Sequence, residues 1–459
     1  MNNGPSQGEK TTGGFLRAVL VLVGGTALAH GITAGAMPIV SRIYTPADMS
    51  VLAVFSGLLA IVSVAACLRF DIAVSLPEAD ADASNLLAVA VLCAAVVSVS
   101  IAILVFAAPN WVAARLGQPR IEPYLWMLPL GAFLAAVSNA LQGWYVRARN
   151  FGRLAGARVA QSAAGATLQV GLGLLTVAPL GLLVAALMST ASACAALCWP
   201  SQGPPRGFGL PSVSRKQMTR VVRAYDRFPK YSTWEALCNS AAGQIPIIMI
   251  AALAAPSEAG HLVLAVYVMQ APMALVGTAI AQVYLSRGPE EFRKNRLGIF
   301  TAEVFGGLFK AGAGPLLAIG VVSPFAFRYV FGSEWDRAGQ LVAWMTPWFI
   351  LQFLASPISM SLHITGRQRT AMALQMLSLA IRVLAVWLAS RSVPSMIGEA
   401  FAVSGLIVYA VYVAFVLVVV KAPAERLGSA IMRSVPITLA WAAGGAGLAL
   451  LLRHLSAQT

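Results

Sequence analysis

The feature that most constrains this chain is a succession of apolar runs, each about twenty residues long, separated by short polar turns. Such a run crosses the roughly 30 Å hydrocarbon layer as a helix. In hydrocarbon every backbone N–H and C=O must be satisfied within its own segment, so the runs are helical. The alternating ten-residue strands of a membrane barrel are missing from the sequence. Only 11% of the residues are charged, against about 25% in a soluble domain, so most of the chain is expected in lipid. Twelve runs form a core between 15 and 420. A thirteenth, over 436–452, is at the short limit for spanning and either crosses the membrane or lies at its interface.

The formal net charge is +15, but the basic residues are distributed between the runs and form no single face, which excludes nucleic acid as the partner. The expected topology puts the polar tail 1–14, the basic stretch 199–231 and the exits of the even-numbered runs in the cytoplasm. Seven of the 32 Lys and Arg then lie outside and two, Lys310 and Arg382, lie within runs; the other 23 lie inside. The five cysteines fall in or at the ends of runs without metal spacing or a disulfide framework. Gly312 and Gly314 lack the Lys-Ser/Thr of a phosphate loop, and no nucleophile triad is visible. These patterns argue against an ATP-driven pump, and no catalytic residue, cofactor or metal is expected.

The two halves echo each other. Val51-Leu-Ala-Val-Phe55 matches Val263-Leu-Ala-Val-Tyr267, and Phe133-Leu-Ala135 matches Phe353-Leu-Ala355. In the register of the second match, Arg147 and Arg149 fall on Arg367 and Arg369. The copies are six helices apart, which implies duplication: an N-terminal six-helix lobe at 15–198, a basic cytoplasmic hinge at 199–231 and a C-terminal six-helix lobe at 232–420. An extension follows at 421–459. The expected fold is therefore all-α membrane, with two six-helix lobes related by pseudo-two-fold symmetry around a central cavity, twelve core helices and a candidate thirteenth. Parallel repeats of this kind are a transporter architecture.

Several motifs occur in a fixed order: Gly24-Gly-Thr26, Arg42-Ile-Tyr-Thr-Pro46, Leu68-Arg-Phe-Asp71 with Leu76-Pro77, Val146-Arg-Ala-Arg-Asn-Phe151, and Pro272-Met-Ala-Leu-Val-Gly277 with Gln282. In these the chain resembles the bacterial polysaccharide or O-antigen flippases of the multidrug/oligosaccharidyl-lipid/polysaccharide exporter superfamily. The likeness covers 15–420. Met49-Ser50 stands where such proteins usually carry Phe-Gly, and Asp71 where they commonly carry Glu. The resemblance implies ion-coupled flipping of an undecaprenyl-pyrophosphate-linked oligosaccharide from the cytoplasmic to the periplasmic face of the inner membrane. It places the chain in O-antigen, capsule or exopolysaccharide synthesis, with the lipid-linked substrate and membrane lipid as partners. A polysaccharide polymerase and a chain-length regulator are candidate further partners. The alternatives are a multidrug or cation antiporter of the same superfamily and a membrane polysaccharide polymerase.

A diphosphate crossing a low-dielectric region needs cations, and the planar arginine fork suits it. Arg382 and Lys310 are substrate-binding candidates because an intramembrane charge costs about 2.5 to 3.5 kcal/mol and is a functional hypothesis by default. The competing reading is snorkelling or structural pairing. Arg42 and Arg69 are either cavity cations or interfacial anchors. Asn139, Gln142 and Gln352 either line a sugar path or bond between helices. Asp71 either pairs with Arg69 or takes part in ion coupling. Glu303, two turns before Lys310 and on its face, is either that lysine's partner or a proton site. Glu399 reads as an acid suited to a helix N-terminus.

Overall fold

The computed structural model describes residues 7–175, 177–199 and 213–456. Pro200 to Pro211, the proline- and glycine-rich start of the basic stretch with Arg206, lie outside the described residues, as do the first six residues of the expected tail. All regular structure among the described residues is helical. Thirteen long helices follow in order. They are α1 (Gln7–Ile43), α2 (Pro46–Ala66), α3 (Asp80–Ala107), α4 (Met127–Arg147), α5 (Phe151–Leu174), α6 (Leu180–Cys198) and α7 (Thr233–Leu253). After them come α8 (Glu258–Arg293), α9 (Leu297–Phe331, with a π-turn at Phe309–Ala313), α10 (Asp336–Ile358), α11 (Gln368–Ser392), α12 (Ile397–Val419) and α13 (Ala424–Ser456). Among the described residues, ten of these stretches are long and apolar enough to cross a membrane. The α4 and α5 helices carry more polar residues, among them Asn139 and Gln142, and Arg153 and Arg158.

The chain divides into two compact units. One comprises Met1–Ala36 and Phe55–Ser240, the other Met37–Val54 and Ala241–Thr459. The division passes through α1 beside Pro38 and through α2, so the α1–α2 turn belongs with the C-terminal helices.

In the first unit, Leu86, Val89 and Ala90 of α3 pack with Ala136, Ala140 and Trp144 of α4 and with Phe70 and Val74 of the α2–α3 connection. A Cβ on Gly143 would collide with the carbonyl of Asp71, so only glycine lets α4 approach that connection so closely. The described part of the basic stretch includes a helix at Arg215–Ala224, whose Val221, Met218 and Val222 close over this cluster. Buried Asn85 holds it, accepting from the Ser214 amide (3.1 Å) and donating to Gln217 (3.0 Å). The acids of the first turn of α3 also have partners. Arg147 binds Asp80 (2.6 Å) and the Pro77 and Glu78 carbonyls, and Arg220 binds Asp82.

In the second unit, Thr45-Pro46-Ala47-Asp48 starts α2 as a reciprocal cap. Asp48 accepts from the Thr45 amide and hydroxyl, and Thr45 accepts from the Asp48 amide. Pro46 takes the first helical position, where no N–H is needed. The turn is then bound to its unit at several points. Trp335 donates to the Ser41 carbonyl (2.7 Å), Ser41 to the Phe331 carbonyl (3.1 Å), and Gly260 N–H to Ser50 (2.8 Å). The α13 helix lies along α9. Gly306 meets Ala430, Gly314 meets Trp441, Gly445 meets Ala318, and Tyr329 donates to the Leu452 carbonyl. Contacts advance together along both chains, so the two helices run parallel.

Candidate functional site

Three helices of the second unit each present a polar stripe at helical spacing. Gln352 and Ser356 on α10 and Ser359 at its C-terminal cap, Gln375, Ser378 and Arg382 on α11, and Tyr409 and Tyr412 on α12 form these stripes. All but Arg382 line one partly open recess of about 190 Å³. The two tyrosine rings stand 6.4 Å apart and tilted. Beside the recess, the Arg382 guanidinium lies 4.5 Å from the ring of Trp348, 5.4 Å from Phe401 and 5.9 Å from Tyr409, which is also a wall residue.

Arg382 is 7% exposed. Cation–π contact is worth about 0.5 kcal/mol at exposed sites and about 2 when desolvated. Three rings therefore offset much of the roughly 2.5 to 3.5 kcal/mol that a central intramembrane charge costs. Rings contact the face of a guanidinium, while its five N–H groups lie in its plane. The Arg382 Nε–H finds no hydrogen-bond partner, and neither do Trp348 Nε1 or Gln352 Oε1 nearby in sequence on α10. Three buried, unbonded polar atoms in one neighbourhood are unusual, since about 90% of such groups are bonded. The arrangement surrounds a positive charge with aromatic rings while its Nε–H has no hydrogen-bond partner. Close packing depends on Gly405, where a side chain would enter the Trp348 ring. Phe401 completes the cage, edge-on to Trp348 at 5.2 Å.

The other candidates are dispersed. Lys310, on the π-turn of α9, is exposed and lines no part of the recess. Glu303 lies 3.5 Å from Arg426 of α13, its bridging partner in place of Lys310. Arg42 donates to the Tyr329 carbonyl (2.6 Å), capping the last turn of α9. In the first unit, Asn139 and Gln142 are half-buried on α4, and Gln142 contacts Ser138 at 3.5 Å.

Arg69 and Asp71 sit together in the α2–α3 connection. Leu68 and Arg69 both adopt left-handed backbone (φ 49° and 61°), a conformation costly for side-chain-bearing residues. Arg69 Nε and Asp71 Oδ1 are both buried without a hydrogen-bond partner. Burial pushes the Asp71 carboxyl above its ordinary range, and the Arg69 charge draws it back only in part.

One constellation escaped the sequence reading. Arg337, in the first turn of α10, binds Glu258 of α8 (2.8 Å) and Glu399 of α12 (2.5 Å), both in first turns of their helices. Its sequence signal was weak, because three isolated charges at the starts of different helices carry no spacing rule. The stripe of Ser356, Ser359 and Ser378 was equally hidden, since serine is unremarked in membrane helices.

A family model described as polysaccharide biosynthesis protein matches residues 39–340, about two-thirds of the chain. The chain belongs to that family. No curated protein matches it by sequence. Solved structures share its fold. One titled lipid II flippase MurJ, inward closed conformation, aligns at 12% identity with a TM-score of 0.68, over 96% of this chain and 97% of that one. An inward-facing multidrug resistance MATE family transporter of the MOP superfamily aligns at 13% identity and 0.58, over 88% and 94%. A MOP superfamily transporter from Pyrococcus furiosus aligns at 15% and 0.54, over 88% and 96%. This family member thus has the all-helical, two-lobed fold expected from its sequence.

Proposed function

We propose that this polysaccharide biosynthesis family member is an inner-membrane flippase. Its substrate is an undecaprenyl-pyrophosphate-linked oligosaccharide, moved from the cytoplasmic to the periplasmic face by ion-coupled alternating access. It is a transporter and not an enzyme, its N-terminus is cytoplasmic, and a polymerase and chain-length regulator receive its product. Family membership supports the polysaccharide context. The observation that carries the reading is Arg382, a buried cation enclosed by three aromatic rings with an unbonded N–H. A diphosphate is the ligand such an N–H serves best, because charge-assisted bonds to phosphate oxygens are roughly twice as strong as neutral ones. Asp71, a buried carboxyl held toward its protonated form, is the candidate for ion coupling; Arg69, Arg42, Lys310, Asn139, Gln142 and Glu303 remain candidates along the path.

The test is export in cells. Loss of the protein is expected to leave the lipid-linked unit on the cytoplasmic face. Arg382→Ala is expected to reduce export at least tenfold with normal amounts of protein in the membrane, the effect of losing about 1.4 kcal/mol or more of binding. Lipid-linked units accumulating unpolymerised on the periplasmic face would overturn the flippase reading. Full export by Arg382→Ala would remove this arginine from the path.

A further inference from the structure

The second unit carries two recesses of opposite character. One, between α9 and α13, is lined by Ala318, Ile319, Val322, Ile437, Gly444 and Leu448 among others and is almost wholly apolar. The other, between α10, α11 and α12, is lined by two glutamines, three serines and two tyrosines together with Ala355, Leu374 and Val408, with no charged residue on its wall. A polyprenyl tail has no use for those amides and hydroxyls. An anion alone has no use for so many neutral groups beside the one cation. We propose that the α10–α12 recess is a glycan subsite that receives the sugar ring next to the diphosphate, with Gln352, Gln375, Ser378, Tyr409 and Tyr412 as its specificity-determining residues. The inference rests on the flippase reading and adds to it where the sugar is recognised.

The chemistry fits a pyranose on three counts. Glutamine offers two donors and an acceptor, and serine and tyrosine hydroxyls do both, which suits hydroxyls that also donate and accept. Gln352 lines the recess and its carbonyl oxygen has no hydrogen-bond partner within the protein, so a sugar hydroxyl that reaches it gains a bond without breaking another. Tyr409 and Tyr412 offer rigid ring faces of mixed polarity, the surface against which the apolar face of a sugar packs. Tyr409 also lies within 5.9 Å of the Arg382 guanidinium, so a ring in the recess places its anomeric phosphate toward that cation.

The test uses the full chain in lipid nanodiscs and paired probes. Farnesyl diphosphate is compared with farnesyl diphosphate bearing a hexose, an N-acetylhexosamine or a hexuronic acid. At least one sugar-bearing probe is expected to bind about ten- to a hundredfold more tightly than the bare diphosphate, the worth of two or three neutral hydrogen bonds. Gln352→Leu and Gln375→Leu are expected to bring that ratio toward one while bare farnesyl diphosphate binds as before. Tyr409→Phe, which keeps the ring, is expected to reduce it less. Arg382→Gln is expected to weaken all four probes alike. If no sugar-bearing probe exceeds the bare diphosphate, or the glutamine variants leave the ratio intact, the subsite is wrong while the flippase reading stands on Arg382. If no probe binds in an Arg382-dependent way, the flippase reading falls with it.

Discussion

At the scale of single residues, environment decides what each charge does. Arg382 and Lys310 look alike in sequence, both cations inside apolar runs, yet one is enclosed by three rings and the other is exposed. Asp71 shows the same dependence. Its carboxyl is buried and draws only partial compensation from Arg69, so the folded protein holds its proton to higher pH than the unfolded chain does. Asp71 therefore stabilises the fold most when protonated. Stability is expected to fall as pH rises from the ordinary carboxylate value, 3.8, through the raised one, and then to level off. Melting of the detergent-solubilised protein across that window checks this. Asp71→Asn is expected to flatten the slope, and an unchanged slope would assign the titration elsewhere.

At the scale of elements, the starts of three helices are joined by one arginine. Glu258 and Glu399 suit the N-terminal ends of α8 and α12, where helix dipoles favour an anion. Their meeting at Arg337 is a property of the packing, with Gly398 leaving room for the Glu258 carboxylate. Breaking a buried pair leaves an uncompensated charge and typically costs about 3 to 5 kcal/mol. Arg337→Ala is expected to lower stability by about 3 kcal/mol, read by chemical denaturation in detergent, and Glu399→Gln on that background is expected to recover part of it. A loss under about 0.5 kcal/mol would equate the cluster with an ordinary surface pair. The helix Arg215–Ala224 carries the same lesson. In sequence it reads as part of a basic linker, and in the fold its apolar face and Asn85 attach it to α3 and α4.

At the scale of the whole molecule, the parallel course of α9 and α13 bears on the undecided final run. If α10, α11 and α12 each cross the membrane, α9 and α13 must point the same way, and they do. The α13 helix is also 33 residues long, well beyond the seventeen of its apolar centre. Thirteen crossings place the two ends of the chain on opposite faces. Reporters fused at the N-terminus and after Thr459 are expected to show opposite compartments, and a shared compartment would make α13 interfacial.

Fold class and the succession of long helices were readable from the chain because hydrocarbon imposes a strong local rule: twenty apolar residues without charge must be a helix, whatever they pack against. The family followed from ordered local motifs in the same way. Partnership has no such rule. That Glu303 meets Arg426, that the α1–α2 turn joins the C-terminal helices, and that Gln352, Gln375 and Tyr409 share one recess beside Arg382 depend on residues far apart in sequence. Those relations exist only once the helices are packed, because side-chain energies in lipid are set by which groups come within a few ångströms, and spacing along one chain does not encode that distance.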